Sequence, residues 1–341
     1  MSLLHRPATA TSRWPVGARP GPAMQALPWL TWVPLAAMGS LLLLAVAAPA
    51  LTSASALPLA LVGAALGIPH GAVDHLVPWW WGAVDPRGRS RRPTTARLAM
   101  FAGAYAAVAA VALVAFVIAP TPTLAAFLVL SAVHFGRGEV VTCAERAGRR
   151  VPTASDDWSL ALAHGGVVVG LLLWARPRDT GPLLSGLSPR LAETALAARL
   201  PGLLLVAVGV VAALTVLLRG RRHLEAVELA LLAATFTLAP PLAAFGVYFG
   251  LWHSLRHTGR LLDLARGAAG SDRTDDGPGW STAGRVLARA AAVPAAVALL
   301  AVLGLWWARD LAGLQAEVGV LLALTFPHAA VVWGLDRRRS A

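Results

Sequence analysis

His253 and His257 stand four residues apart in Tyr248-Phe249-Gly250-Leu251-Trp252-His253-Ser254-Leu255-Arg256-His257. On a helix that spacing sets two imidazoles on one face, one turn apart. Such a pair can hold a metal, but a catalytic ion usually takes three or four protein ligands and keeps a position open. The single cysteine, Cys143, excludes an internal disulfide and any cysteine-built zinc or iron–sulfur site, so further ligands must be histidine or carboxylate. Candidates lie in Gly67-Ile68-Pro69-His70-Gly71-Ala72-Val73-Asp74-His75, in Ser131-Ala132-Val133-His134-Phe135-Gly136 and in Phe326-Pro327-His328. Asp74, four residues past His70, reaches the same helix face and can take the second N–H of a ligand imidazole. The alternatives are that Asp74 binds metal itself or pairs with Arg256. Pro327 is expected to kink its helix and tilt His328 inward. A lone histidine within a membrane is ordinarily an interhelical hydrogen-bond partner. His5, His164 and His223 are given that role or simple exposure.

The elements that must position these residues follow from composition. The chain has 341 residues, 57% hydrophobic and 13% charged, and its uncharged runs reach the ~20 residues needed to cross a hydrocarbon core of ~30 Å. Continuous apolar runs without strict alternation choose helices over a barrel. The fold class is therefore all-α, a polytopic transmembrane helical bundle. Apolar length and punctuation predict about ten spans, at about 29–48, 55–81, 97–119, 122–137, 158–175, 200–218, 224–239, 242–258, 283–307 and 312–335. Pro240 and Pro241 divide the seventh from the eighth.

The net charge of +12 falls in short segments between apolar runs, which reports topology and not nucleic-acid binding. Arginines gather in the tail and in the even loops: Arg87, Arg89, Arg91 and Arg92; Arg137, Arg146, Arg149 and Arg150; Arg219, Arg221 and Arg222; Arg260, Arg266 and Arg273; and Arg337, Arg338 and Arg339 at the end. Odd loops are nearly bare except for Arg309 and a fifth loop with Arg176, Arg178, Arg190 and Arg199. Both termini are thus expected in the cytoplasm. The domain reading is a disordered tail at 1–28, one catalytic helical domain at 29–336 and a basic tail at 337–341. His70, His75, His134, His253, His257 and His328 all fall on even spans, in the inner half, so they can converge at one depth. Ionisable groups at that depth are costly and face the bundle interior.

The segments Gly67-xx-His70-Gly71-xx-Asp74-His75, Ser131-xx-His134-Phe135-Gly136, Tyr248-Phe249-xx-Trp252-His253-Ser254-x-Arg256-His257 and Phe326-Pro327-His328 resemble the motifs of the Brp/Blh family. These are integral-membrane β-carotene 15,15'-dioxygenases, unrelated to the soluble β-propeller carotenoid oxygenases. The resemblance runs from the second span to the end and is most specific at the eighth. It implies ferrous iron, Fe(2+), held by His70, His134, His253 and His257. It implies O2 and β-carotene as substrates, and retinal as the product of cleavage at the central double bond. The setting it implies is the cell membrane, with the lipid bilayer supplying the polyene and an opsin able to receive the retinal. Asp74, His75, Phe135, Tyr248, Phe249, Trp252, Arg256 and His328 are placed beside the iron or facing substrate, with Trp79 and Trp80 as further aromatic neighbours or interfacial anchors. Other readings stay open: a membrane di-iron desaturase or hydroxylase, a transporter or haem-binding protein, a carotenoid carrier, and a relative acting on another carotenoid.

Overall fold

The computed structural model describes residues 23–80, 93–153, 157–269, 279–307 and 311–340, and no strand occurs among them. In chain order the helices are α1 (Ala23–Ala26), α2 (Trp29–Ala47), α3 (Pro49–Ala54), α4 (Ala56–Gly67), α5 (Val77–Trp80), α6 (Thr95–Ile118) and α7 (Pro120–Arg146). They continue as α8 (Trp158–Gly165), α9 (Leu171–Trp174), α10 (Pro177–Leu187), α11 (Pro189–Ala197), α12 (Arg199–Arg219) and α13 (His223–Leu238). The last are α14 (Pro241–Val247), α15 (Ser254–Ala269), α16 (Trp280–Trp307) and α17 (Leu311–Ser340). A tight 3-10 turn, Ile68–Gly71, follows α4, and wide π turns occupy Gly166–Gly170 and Tyr248–His253.

The expected all-α architecture is present. Six helices of the described residues are long and apolar enough to cross a bilayer: α2, α6, α7, α12, and Trp280–Leu300 and Val318–Arg337 within α16 and α17. A seventh arises if Trp158–Trp174 and Pro177–Leu187, bent by 87°, act as one span. Each of the ten expected segments contains helix among its described residues, but four of them are not single long helices. The second is a 12-residue helix that tightens into the 3-10 turn; the seventh has 16 residues. The fifth is interrupted by the π turn Gly166–Gly170, with the 87° bend just past its end, and the eighth by the π turn Tyr248–His253. Apolar length alone does not register such interruptions, and two of them carry His70 and His253.

Bare backbone lets the central helices cross closely. A Cβ on Gly136 would collide with the Ala161 carbonyl, and one on Gly165 with that of Ala132, which holds α7 directly against α8. Gly63, Gly246 and Gly250 bring α4 against α14 and the π turn in the same way. The main core, including Phe135, Leu160, Val168, Leu229, Phe236, Tyr248 and Trp252, fills the space between these helices. By contrast α6, α12 and α16 turn large apolar side chains outward, as with Ile118 (76% exposed) and Val293 (72%), a surface suited to lipid.

Several charges expected in loops lie on helices. Arg137 is buried within α7 and donates to the Pro152 and Thr153 carbonyls at 3.2 and 2.9 Å. Arg260 is buried within α15, paired with Glu145 and Asp336. Arg339 lies on α17, which runs through Ser340, and binds Glu145 at 2.5 Å. At the other end α1 begins at Ala23, whose amide donates to Asp263 at 2.7 Å. The fifth loop is two helices, α10 and α11. His5 with the rest of residues 1–22, Arg87 to Arg92, Arg273 and Arg309 lie outside the described residues, as do 270–278.

Candidate metal centre

The 3-10 turn, α7, the π turn with α15, and α17 each deliver imidazoles to one point. His70, His134, His253, His257 and His328 are all buried. Ring centroids of His70 lie 5.3 Å from His253, 5.4 Å from His257 and 4.8 Å from His328; His134 lies 5.0 Å from His253 and 5.1 Å from His328. The expected i, i+4 pair holds, with the rings of His253 and His257 parallel within 10° and 6.4 Å apart, although a π turn ends at the first of them.

Partners of the ring nitrogens define which atoms face inward. His70 Nδ1–H donates to the Gly67 carbonyl and meets the Ser254 hydroxyl oxygen at 3.1 Å, while that hydroxyl donates to the Phe249 carbonyl at 2.6 Å. His328 Nδ1–H donates to Asp74 Oδ2 at 2.8 Å. Since a carboxylate or carbonyl only accepts, each of these rings carries its proton on Nδ1 and presents an Nε2 lone pair. Nε2 of His257 and of His328 are buried without a partner, and the Nε2 atoms of His134 and His253 face each other at 3.2 Å.

Asp74 therefore orients His328, and not His70 as the four-residue spacing suggested; the 3-10 turn takes it off the face a regular helix would give it. Its other partner is the Tyr105 hydroxyl at 3.0 Å. Arg256 pairs with Glu139 (2.7 Å) and Glu228 (2.6 Å), not with Asp74. His75 stays half-buried and bonds the Ala72 carbonyl at 3.1 Å, its ring in none of these pairs. His164 is a core residue donating to the Leu160 carbonyl at 2.9 Å.

One side of the cluster is aromatic. Phe135 meets His253 edge-on at 4.8 Å, and Phe249 meets His70 at 5.5 Å across a space that Gly67 leaves open. Phe245, absent from the sequence motifs, stacks on Phe249 at 5.8 Å. Tyr248 packs against Phe135 and Phe236, and its hydroxyl has no partner. Trp252 faces the other way, donating to Glu139 at 2.9 Å with the Arg256 guanidinium 4.0 Å over its ring.

That other side is a buried ionic layer. Glu228 also pairs with Arg146, Arg260 pairs with Glu145 and Asp336, and Glu225 accepts from Arg149 (2.7 Å) and Arg222 (2.5 Å). A small gap between the layer and the imidazoles is lined by His134, His253, His257, Glu139, Arg256 and Arg260. Glu139, Glu145 and Glu228 had no role in the sequence reading. The signal in the sequence is Arg256 and Arg260, each three residues after one of the paired histidines; that they face these carboxylates is visible only in the folded chain.

These residues fit a metal ion. Unpartnered buried imidazole nitrogens are costly in a protein interior, and a cation bound by several of them removes that cost. His70, His253 and His328 each offer a nitrogen within 4.8 Å of the others, near the ~3–4 Å spacing of ligands held ~2.1 Å from one ion. No solved structure matches the chain. A protein of Halobacterium salinarum described as a probable beta-carotene 15,15'-dioxygenase, Blh, is 30% identical over 89% of this chain and 92% of its own length. The family described as Beta-carotene 15,15'-dioxygenase matches residues 61–336, which include all five converging histidines. With most of the chain covered by both matches, the protein belongs to the beta-carotene 15,15'-dioxygenase family.

Proposed function

We propose that this protein is an iron-dependent dioxygenase of the cell membrane that uses O2 to split the central double bond of β-carotene into two molecules of retinal. The observation that carries the reading is a set of buried imidazoles with inward Nε2 atoms at the centre of an apolar helical bundle, in a chain of this family. His70, His134, His253 and His257 are the proposed ligands of Fe(2+). When bound, ferrous iron supplies the activation of O2 that side chains alone lack, and imidazole is a suitable donor for it.

The surrounding residues have separable tasks. Gly67 and Ser254 fix the His70 ring through its Nδ1, which keeps Nε2 turned inward. Phe135, Phe245 and Phe249 make an apolar wall where a polyene can lie against the imidazoles. A lipid-dissolved substrate enters laterally between helices, so no aqueous channel is needed. The ionic layer of Arg256, Glu139 and Glu228 holds α7, α13 and α15 in register behind the site. In the bilayer we place residues 29–336 as one catalytic unit with ten crossings and both termini cytoplasmic, on the alternation of arginine between loops. The product is then available to an opsin in the same membrane.

Expression in a β-carotene-accumulating bacterium tests this. The orange pigment should fade and retinal appear in extracts; protein present in the membrane with carotene intact and no retinal would sink the proposal.

A further inference from the structure

His328 is more deeply committed to the cluster than a neighbour of the iron would be. Its ring lies 4.8 Å from His70, 5.1 Å from His134 and 5.6 Å from His257, so it sits among the others and not at their rim. Together with His70 and His253 it forms the group of nitrogens that lie mutually within 4.8 Å. Its Nδ1–H is taken by Asp74, and its Nε2 is left buried with no partner.

Asp74 is held in turn. Tyr105, on the largely lipid-facing α6, donates its hydroxyl to Asp74 Oδ2 at 3.0 Å and approaches the Leu324 carbonyl at 3.4 Å. Leu324 is one turn before His328 on α17. The phenol thus ties three separate elements together at the root of one imidazole: α6, the segment after the 3-10 turn, and α17. A phenol hydroxyl within the apolar stretch of a helix, spent on a carboxylate that itself serves a histidine, is the arrangement by which proteins aim a metal ligand.

We propose that His328 is itself a protein ligand of the metal, joining His70 and His253, and that Asp74 and Tyr105 are positioning residues that set its tautomer and direction. This rests on the metal-centre reading above, and the test separates the two. A purely structural His328, bonded to Asp74 for packing, gives no reason for an unpaired Nε2 at the meeting point of four other imidazoles.

The test is Co2+ titration of the purified, metal-stripped full-length protein in detergent, following the visible d–d bands of bound cobalt. His328→Gln and His328→Ala are expected to weaken Co2+ binding by about 100-fold, to alter the d–d spectrum, and to lose retinal formation. Asp74→Asn should weaken binding by about 10–100-fold, the usual range when the partner of a ligand imidazole is lost. Tyr105→Phe leaves every imidazole in place and should still weaken binding by about fivefold. That variant also decides the matter if His328→Ala folds poorly. His164→Gln, outside the cluster, should bind as wild type. Wild-type affinity and spectrum in the His328 variants, or unchanged affinity in Tyr105→Phe, would overturn the assignment while leaving the metal centre standing. If wild type takes up no Co2+ and no iron, the metal-centre reading falls and this inference with it.

Discussion

Replacing Arg256 by Met removes the cation that joins three helices behind the site. The guanidinium is 1% exposed; it binds Glu139 at 2.7 Å and Glu228 at 2.6 Å and lies 4.0 Å over Trp252. Met keeps much of the side-chain length but no donor. Glu228 would retain Arg146, whereas Glu139 would keep only the Trp252 N–H at 2.9 Å. Removing one partner of a buried ion pair costs about 3–5 kcal/mol, because the other charge is stranded. One stranded carboxylate with a remaining neutral donor puts the expected loss near the lower end, about 3 kcal/mol. Adding Glu139→Gln removes that charge and leaves an amide oxygen for Trp252, so the double variant should regain about half of the loss. The assay is reversible unfolding in mixed micelles by SDS titration, on wild type, both single variants and the double, giving a coupling energy. A loss below about 1 kcal/mol for Arg256→Met, or a double variant less stable than that single, would refute the account of the ionic layer.

Other substitutions follow from the same geometry. Gly136→Val places a side chain into the Ala161 carbonyl and should cost about 1–3 kcal/mol by forcing α7 from α8, read as a lower unfolding midpoint with less bound metal. Tyr248→Phe removes a buried hydroxyl that has no partner and should be neutral or stabilising by up to about 1 kcal/mol, with iron content unchanged; a clear destabilisation would mean the hydroxyl is used. Phe249→Ala removes the ring stacked on Phe245 and set edge-on to His70, and should lower retinal formation while iron per chain stays the same. His257→Ala should abolish both bound iron and retinal formation.

The five histidines were legible because each imidazole interrupts an apolar run, and the expectation that all of them fall on even spans anticipates their meeting. His75 shares that placement but not the centre, since the turns after Gly71 direct it to the Ala72 carbonyl. Helix ends were harder to read. Expected spans stop at 137 and 258 where charge begins, yet α7 runs to Arg146 and α15 to Ala269, because Glu139, Glu145, Arg256 and Arg260 neutralise one another inside the fold. Hydropathy scores each charge alone and cannot see a partner more than a hundred residues away. The Tyr105 hydroxyl lies within the apolar stretch of α6, and only the folded chain shows that it meets Asp74. The arginines of the fifth loop have a local explanation: Arg176 pairs with Asp179 at 2.5 Å and Arg199 donates to the Trp174 carbonyl at 3.1 Å, at the ends of short helices that turn away from α8 and α9.

The most direct measurement is retinal formed from β-carotene under O2 by purified, metal-stripped protein as Fe(2+) is added back in known amounts. Activity should be absent without iron, rise linearly and saturate at one iron per chain, with two retinal molecules formed for each β-carotene consumed. Full activity without iron, or saturation only at two irons per chain, would contradict a single iron held by this imidazole cluster.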